Sequence, residues 1–290
     1  MSEISSIHWF PGHMMKTLRL IEADIKNVDA VAELIDARIP FSSKNPELAR
    51  LTDTKPRILL LNKCDLADDK KTKLWLDYYG SQGYGAIEIQ SKEKKYGARC
   101  ISSIKSILET WQIASGKKNL TSKPRVMVVG IPNVGKSTFI NMIAGTSRAK
   151  AEDRPGVTRG KQWISLDEIE LLDMPGVLWK KLENQEGALK LAFTGAIKDD
   201  ILNKEEIAIC LLEALKKEGY QKPLFDRFKL TDDQLTKSGI ALLEQVGRNR
   251  GMLILHGQPD VERAAITVLD ELRSGKLGRI TFEEPSEYGF

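Results

Sequence analysis

A glycine-rich loop near the middle of the chain has the residue types and spacing needed to hold a phosphate chain. It reads Gly130-x-x-x-x-Gly135-Lys136-Ser137 and follows the apolar run RVMVVG (125–130), which is the context that the Walker A pattern requires. Its backbone N–H groups can surround a β-phosphate, Lys136 can bridge the β- and γ-phosphates, and Ser137 can ligate Mg²⁺. The flanking strand and predicted helix disfavour the alternative, a glycine-rich turn without a ligand. The further nucleotide contacts expected from the pattern are Asn133, Val134, Gly135 and Thr138.

Two features downstream of this loop suit a magnesium ion and a γ-phosphate. Asp173 begins the sequence DMPG (173–176), where its carboxylate can hold Mg²⁺ through water and the Gly176 N–H can bind the γ-phosphate. Thr158 lies in the intervening loop, and its hydroxyl can complete the Mg²⁺ shell when the γ-phosphate is present; an ordinary loop threonine remains the alternative. The expected Mg²⁺ ligands are Ser137, Thr158 and Asp173.

A second motif, NKCD (62–65), ends the apolar run RILLLN (57–62) and suits recognition of guanine. The Asp65 carboxylate can accept hydrogen bonds from the N1–H and N2–H₂ groups of guanine, whereas adenine offers no such pair of donors. Asn62 can brace the loop, and the aliphatic stem of Lys63 can cover the ring. After the next predicted strand, Ser91 is expected to contact the O6 face of guanine. Lys92, directly after it, is a further expected nucleotide contact.

The order of these motifs along the chain is unusual. Ordinary GTPases place the phosphate loop first, then the threonine, the DxxG motif, the NKxD motif and a last loop that contacts the base. Here NKCD and Ser91 precede the phosphate loop, Thr158 and DMPG. The cycle is the same but is cut at a different point, which is tolerated when the original termini lie close together at the surface. The order therefore predicts a circularly permuted P-loop GTPase domain, joined through the polar residues 114–124.

Apolar runs separated by helix-sized segments predict the sheet that positions these motifs. Continuous β-branched or leucine-rich runs of this kind indicate a mostly parallel sheet covered on both faces, and so an α/β fold. The predicted strands are DAVAELID (29–36), RILLLN (57–62), AIEIQ (86–90), RVMVVG (125–130) and EIELLD (168–173).

After about residue 185 the pattern becomes helical. Apolar residues of DVERAAITVLDELRSG recur at helical spacing, with Asp260 as a candidate N-cap and Gly275 as the stop. The segment EEIAICLLEALKKEG (205–219) has the same character. We therefore divide the chain into a GTPase domain at residues 1–185 and a small all-α domain at residues 186–290.

The composition limits the compartment and the partners. The chain has 290 residues, of which 41% are hydrophobic and 29% charged, so it can form packed cores. No apolar run approaches membrane-spanning length, and the first residues lack the pattern of a secretory signal. Cys64, Cys100 and Cys210 are widely separated, which argues against a disulfide framework and fits a reducing cytoplasm. The formal charge of +4 permits nucleic-acid binding, although residues 185–290 are net acidic.

The chain resembles circularly permuted GTPases and, more narrowly, the YlqF-type family of ribosome biogenesis GTPase A. The resemblance rests on HWFPGHMMK, DARIPFSSKNP, LLNKCD, GIPNVGKST, DRPGVT, LLDMPG and TGAIKD, with a weaker match in GKLGRITFEEP. It implies GTP hydrolysis with Mg²⁺, stimulation by K⁺ and the large ribosomal subunit, and a helical domain that binds ribosomal RNA or protein. It also implies that the Asn133 carboxamide is the position used for K⁺. Candidate phosphate contacts, for which solvated helix ends are the alternative, are Arg248, Arg250, Lys276 and Arg279.

The DMPG motif brings no side chain that could orient the attacking water. Ras-type enzymes carry a glutamine directly after the DxxG glycine, but here that position is Val177. The segment HWFPGHMMK contains His8 and His13, and the resemblance points to His13, whose imidazole can orient or deprotonate water near neutral pH. A turn histidine without a role is the alternative. The expected catalytic set is His13, Lys136, Thr158 and Gly176.

Three functions fit these observations. The favoured one is a cytoplasmic, monomeric GTPase that binds GTP and GDP and assists assembly of the large ribosomal subunit. The second is a nucleotide-gated binding module for RNA or protein in which turnover is incidental, an alternative that Val177 keeps open. The third is a signalling or transport GTPase unrelated to ribosomes, although the sequence has no lipidation motif that would anchor it to a membrane.

Overall fold

The computed structural model describes residues 12–116, 123–146, 161–179 and 184–289. These residues fall into two compact units. The sheet unit contains the described residues up to 179 together with residues 283–289, and the helical unit contains residues 184–282. Among the described residues, no helix is both long and apolar enough to cross a membrane.

The sheet unit is built on strands that the apolar runs predict well. In chain order they are β1 (Ala30–Asp36), β2 (Arg57–Asn62), β3 (Gly85–Glu88), β4 (Arg125–Gly130), β5 (Gln162–Ser165) and β6 (Glu170–Asp173). They form one sheet in the order β3-β2-β1-β4-β6-β5. The neighbouring pairs are parallel except for β5, which runs antiparallel to β6 at the edge. The expected mostly parallel α/β sheet is therefore confirmed.

Burial explains which strands the sequence reveals and which it hides. All seven residues of β1 are buried, as are five of the six in β2, so these strands appear as continuous apolar runs. The edge strand β5 has a single buried residue, Ile164, and its four residues, QWIS, are too few to form a recognisable apolar run. The sequence analysis consequently missed β5.

Helices cover the sheet and connect its parallel strands. In chain order they are α1 (Gly12–Asp24), α2 (Pro46–Leu51), α3 (Asp69–Ser81), α4 (Tyr96–Ser115) and α5 (Lys136–Thr146). The ends of β2, β4 and β6 carry the NKCD, phosphate-loop and DMPG residues, respectively. Because these strands are parallel, their carboxyl ends meet at one edge of the sheet, and the three motifs meet there too.

The helical unit has the all-α character expected from its periodicity. Its helices are α6 (Gln185–Phe193), α7 (Lys204–Lys217), α8 (Gln221–Phe228), α9 (Asp232–Leu235), α10 (Gly239–Asn249) and α11 (Val261–Arg273). Asp260 caps α11 by accepting a hydrogen bond from the Arg263 N–H at 3.0 Å, as the sequence predicted. Gly275, just beyond the helix, has a positive φ of 77°, the conformation in which glycine commonly ends a helix.

The last residues of the chain do not stay with the helical unit. Residues 283–289 pack in the sheet unit, although the sequence-based boundary assigned them to the helical domain. The aromatic ring of Tyr288 stacks on that of Phe41 with centroids 3.8 Å apart, and Trp75 donates its indole N–H to the Glu283 carbonyl at 3.1 Å. These contacts join residues far apart in sequence, so periodicity along the chain could not reveal them.

Candidate active site

Asn62, at the end of β2, links three loops at the carboxyl edge of the sheet. Its amide nitrogen donates to the Val134 carbonyl at 2.7 Å. Its amide oxygen accepts from the Ser91 backbone N–H at 3.1 Å and from the Ser91 hydroxyl at 2.8 Å. The side chain is 2% exposed, so these bonds are shielded from competing water. One buried amide therefore holds the NKCD loop, the Ser91 loop and the phosphate loop together.

Lys63 forms a second bridge between the NKCD and phosphate loops. Its backbone is left-handed, with φ 62°, as the chain turns out of β2. Its ammonium group donates to the Asn133 carbonyl at 2.8 Å and to the Asp36 carboxylate, at the end of β1, at 3.0 Å. The side chain is 23% exposed, which is consistent with the expectation that its aliphatic stem covers a base.

Asp36 is the buried acceptor on which this bridge depends. Arg38 donates to its two carboxylate oxygens at 2.9 and 2.7 Å, and the Arg38 backbone N–H donates at 3.1 Å. Burial by itself would raise the pKa of Asp36, but the charges of Arg38 and Lys63 and these hydrogen bonds hold that pKa well below its ordinary value. Burial lowers the pKa of Lys63, and the Asp36 carboxylate opposes that shift. The charged forms of Asp36 and Lys63 therefore stabilise each other.

The phosphate loop has backbone angles that only glycine adopts readily at two points. Gly130 has φ 147°, and a Cβ there would lie 2.5 Å from the Leu34 carbonyl oxygen. Gly135 has φ 104°, and a Cβ there would lie 2.4 Å from the Asn62 amide nitrogen. The loop then leads directly into α5, which begins at Lys136. A glycine-rich turn opening a helix after a strand directs backbone N–H groups at a bound phosphate.

Lys136 is the cation at the centre of this loop. Its side chain is buried, and its ammonium group donates to the carbonyls of Gly130 at 3.2 Å and Ile131 at 3.0 Å. Burial lowers the pKa of Lys136 to about 8, while the charge of the buried Asp173 opposes that shift. A phosphate group would give this ammonium a charged partner in place of neutral carbonyls.

The DMPG loop lies against the phosphate loop. A Cβ at Gly176 would lie 2.9 Å from both the Lys136 ammonium nitrogen and the Pro132 Cα. Val177, fully buried, donates its backbone N–H to the Gly130 carbonyl at 3.2 Å. The Val177 carbonyl accepts from the Asn45 amide at 3.0 Å. The residue that follows Gly176 is therefore fixed from both sides of its backbone.

Comparison with known proteins supports the chemistry that these loops suggest. The family model described as "50S ribosome-binding GTPase" matches residues 125–231. Ribosome biogenesis GTPase A of Bacillus cereus is 43% identical over 288 residues, which cover 98% of this chain and 95% of the relative. The chain belongs to the ribosome biogenesis GTPase A family. Ribosome biogenesis GTPase A of Priestia megaterium is 44% identical, over 97% of this chain and 98% of the relative.

Solved structures agree with this membership. The GDP-bound structure of YlqF matches with a TM-score of 0.69 and 29% identity, covering 92% of this chain and 100% of that chain. GNP-bound YlqF from T. maritima matches with a TM-score of 0.64 and 29% identity, covering 93% of this chain and 98% of that chain. This member of the ribosome biogenesis GTPase A family is therefore a circularly permuted GTPase that binds guanine nucleotides.

The structure brings most of the predicted site residues of this family member to one edge. Asp65 is half-buried in the turn after Lys63, and Ser137 is half-buried in the first turn of α5. The predicted nucleotide contacts on the exposed surface of this edge are Lys92, Asn133 and Thr138. Val134, by contrast, is buried, and its carbonyl receives the Asn62 hydrogen bond.

Some predictions concern residues that the structure does not describe. Thr158 and His8 lie outside the described residues. His13 lies in α1, but its side chain is not among those that the structure describes. Of the expected magnesium ligands, the Ser137 hydroxyl and the Asp173 carboxylate lie within the described residues. Hard oxygen donors of this kind, with phosphate oxygens and water, suit Mg²⁺, the ion on which GTPases generally depend.

Sequence reasoning missed two residues that shape the site, Asp36 and Asn45. Both belong to the segment DARIPFSSKNP, which served only as evidence of family resemblance. One signal was available for Asp36, because it ends a predicted buried strand and a carboxylate there must reach a partner. Asn45 gave no such signal, since its partner Val177 lies 132 residues away.

Proposed function

We propose that this GTPase assists assembly of the large ribosomal subunit and that its nucleotide state controls binding to the subunit and release from it. The relatives named Ribosome biogenesis GTPase A and the family model described as 50S ribosome-binding support this proposal. A more distant relative, mitochondrial ribosome-associated GTPase 1 of Mus musculus, is 32% identical over 95% of this chain and 89% of the relative.

The single observation that carries the proposal is the position of Gly176. Its backbone lies against Lys136 and Pro132 of the phosphate loop, which is where a γ-phosphate would enter. GTP and GDP differ only in that phosphate, so a loop at this place can distinguish them. α6, the first helix of the helical unit, begins at Gln185, nine residues after Gly176. A change at Gly176 therefore has a short route along the chain to the helical unit.

Mg²⁺ and K⁺ are the ions that we expect this GTPase to use. Ser137 and Asp173, joined by Thr158 in the GTP-bound form, would hold the Mg²⁺ that neutralises charge on the phosphates. The Asn133 carboxamide, in the exposed part of the phosphate loop, would contribute to a K⁺ site. Lys136 would complete the cationic environment of the β- and γ-phosphates.

Hydrolysis requires a group that Val177 does not supply. Val177 is apolar and buried, so its side chain cannot orient the attacking water. We assign that role to His13, which docking on the ribosomal particle would bring to the γ-phosphate. A ribosomal group acting in its place is the competing possibility, and a variant of His13 separates the two.

The helical unit is the expected contact with ribosomal RNA or protein. Arg248 is exposed after the last buried turn of α10, and Lys276 and Arg279 are exposed beyond α11. Arg250 donates to the Glu271 carboxylate at 2.6 Å, so it has an internal partner. We therefore favour Arg248 and Lys276 over Arg250 as phosphate contacts, and Arg279 remains a further candidate. This role would place the protein in the cytoplasm with the ribosomal particles, acting as a monomer.

The test is GTP turnover measured with purified large subunits, with purified small subunits and with neither. We expect stimulation by large subunits only, and stronger cosedimentation with a non-hydrolysable GTP analogue than with GDP. Nucleotide-dependent cosedimentation without stimulated turnover would favour the nucleotide-gated binding module. Absence of both effects would favour a GTPase unrelated to ribosomes and would overturn the proposal.

A further inference from the structure

Residues 37–45 form the loop between β1 and α2, which we call the connector loop. Its last residue, Asn45, is fully buried and donates its amide N–H to the Val177 carbonyl at 3.0 Å. The same side chain caps α2 by accepting from the Glu47 N–H at 2.9 Å. Asn45 is further fixed because its backbone N–H donates to the buried Glu33 carboxylate at 3.0 Å.

Asn45 therefore holds the backbone beside Gly176. The Val177 N–H, in the peptide that joins Val177 to Gly176, donates to the Gly130 carbonyl, and the Val177 carbonyl, in the next peptide, accepts from Asn45, so the peptides on both sides of Val177 are held. A hydrogen bond from the Gly176 N–H to a γ-phosphate depends on the direction of this backbone. Small errors in such positioning are costly, because hydrogen bonds weaken steeply with distance and angle.

The connector loop is internally braced, so its two ends cannot move independently. The Ser43 hydroxyl accepts from the Asp36 backbone N–H at 2.9 Å and lies 2.7 Å from the Ile39 carbonyl, to which it donates. The Ser43 backbone N–H also donates to the Ile39 carbonyl at 2.9 Å. A displacement in the middle of the loop should therefore also displace Asn45.

Glu283 clamps the middle of this loop. Its carboxylate is fully buried and accepts backbone N–H bonds from Phe41 at 2.7 Å and Ser42 at 3.2 Å, together with the Ser42 hydroxyl. The Tyr288 hydroxyl donates to the same carboxylate at 3.4 Å, and its ring stacks on Phe41. Charge-assisted bonds to consecutive backbone N–H groups are among the stronger contacts a protein makes.

Burying a carboxylate is costly unless its oxygens accept hydrogen bonds, so the buried Glu283 carboxylate indicates a specific structural role. The neighbouring Glu284 shows the ordinary alternative. It is 43% exposed and pairs with Lys71 at 3.0 Å on the surface, which is worth little in stability. Glu283 also follows Phe282 directly, and Phe282 belongs to the helical unit.

We propose that Glu283 is a positioning residue for the γ-phosphate: it fixes the connector loop, whose Asn45 holds the backbone that follows Gly176. The C-terminal residues thereby set how well the protein distinguishes GTP from GDP. The helical unit is attached to the sheet unit by chain at both of its ends, through the segment after DMPG and through Glu283. This role rests on the proposed contact of Gly176 with the γ-phosphate, and it can be measured on the isolated GTPase without the ribosomal partner.

The test compares Glu283→Gln with the matched control Glu284→Gln in nucleotide titrations of the full chain. Glutamine keeps one oxygen for the Phe41 and Ser42 N–H groups, but it removes the negative charge that strengthens those bonds and turns an amide donor toward the Ser42 and Tyr288 hydroxyls, which loosens the loop. We expect Glu283→Gln to weaken binding of a non-hydrolysable GTP analogue about tenfold with GDP binding nearly unchanged. Asn45→Ala should give the same selective loss. The control should bind both nucleotides as the parent does.

Three outcomes would overturn the proposal. The first is a folded Glu283→Gln protein, judged by its circular dichroism, with an unchanged ratio of GTP-analogue to GDP affinity. The second is an equal loss for both nucleotides, which would indicate general support of the site. The third is full additivity of Glu283→Gln and Asn45→Ala, since residues acting through one loop must be coupled. If Glu283→Gln does not fold, Ser42→Ala is measured instead, because it removes the hydroxyl bond to Glu283. An unchanged ratio of GTP-analogue to GDP affinity in that variant would then overturn the proposal.

Discussion

The ammonium group of Lys63 lies 3.0 Å from the Asp36 carboxylate, and it also reaches the Asn133 carbonyl at 2.8 Å. Lys63 belongs to the guanine-recognition motif, Asn133 to the phosphate loop and Asp36 to the neighbouring strand β1. The lysine therefore fixes the distance between the base end and the phosphate end of the site. Asp36 supplies the negative charge that favours a partly buried ammonium in that position.

Asp36→Asn should weaken binding of both GTP and GDP by about tenfold, because it removes the charged partner of Lys63, which bridges the base and phosphate ends that the two nucleotides share. The measurement is fluorescence titration with labelled GDP and a labelled GTP analogue. Asp29→Asn is the matched control, since Asp29 accepts the Arg125 N–H at 2.8 Å just before β1 begins. In a Lys63→Met background the Asp36→Asn effect should largely disappear. A full effect in that background would show that Asp36 does not act through Lys63.

Nucleotide affinity should fall as pH rises above about 8. Burial lowers the pKa of Lys136 to about 8 without nucleotide, and a phosphate partner would raise it. Between those two pKa values binding takes up a proton, so affinity should decline by up to about tenfold per pH unit and stay level below about pH 7. Titrations of GDP from neutral to alkaline pH measure this slope. Lys136→Arg, which stays protonated, should show weaker binding with no such slope; an identical slope in that variant would assign the proton elsewhere.

Asp65→Asn should exchange guanine specificity for xanthine specificity. The substitution replaces an acceptor with an amide donor facing the guanine N–H groups, whereas xanthine offers a carbonyl there. GTP affinity should fall by at least about a hundredfold, and affinity for xanthosine triphosphate should rise. Parallel titrations of both nucleotides check the exchange. GTP binding equal to that of the parent would remove Asp65 from the base-reading role.

His13→Ala should bind GTP and ribosomal subunits normally yet lose most of the stimulated hydrolysis. Positioning of a general base or water-orienting group is typically worth about two to four orders of magnitude in rate. Single-turnover hydrolysis with saturating large subunits and K⁺ measures the loss, and His8→Ala is the matched control from the same segment. Stimulation at the level of the parent would exclude His13 and direct attention to a ribosomal group.

The chain joins the two units twice, after DMPG and at Glu283, so an insertion after DMPG should uncouple them only in part. Lengthening residues 180–183 with a flexible insert leaves the Glu283 clamp intact, so part of the nucleotide dependence of subunit binding should survive. Combining the insert with Glu283→Gln should remove the rest. Cosedimentation with large subunits under GDP and a non-hydrolysable GTP analogue compares the variants. Complete loss of nucleotide dependence with the insert alone would make the DMPG connection sufficient.

The sequence by itself determined the parallel sheet, the helical character of the second unit and the guanine-nucleotide chemistry. The buried strands β1, β2 and β4 are continuous apolar runs, and the periodicity of α11 is strong, so local pattern was enough. The phosphate loop and NKCD carry their chemistry in a few adjacent residues. Their permuted order could be recognised because each motif keeps its place at the end of a strand.

Only the tertiary structure decided how these parts are held together. Asp36 meets Lys63 because β1 and β2 are neighbours in register, with Asp36 beside Asn62. Asn45 meets Val177 across 132 residues, and Glu283 meets Ser42 across 241. No periodic or local signal identifies the partner in any of these pairs, because a buried polar residue is placed by whichever distant group satisfies its hydrogen bonds. The edge strand β5 escaped notice for a related reason: its pairing with β6, not its own apolar content, makes it a strand.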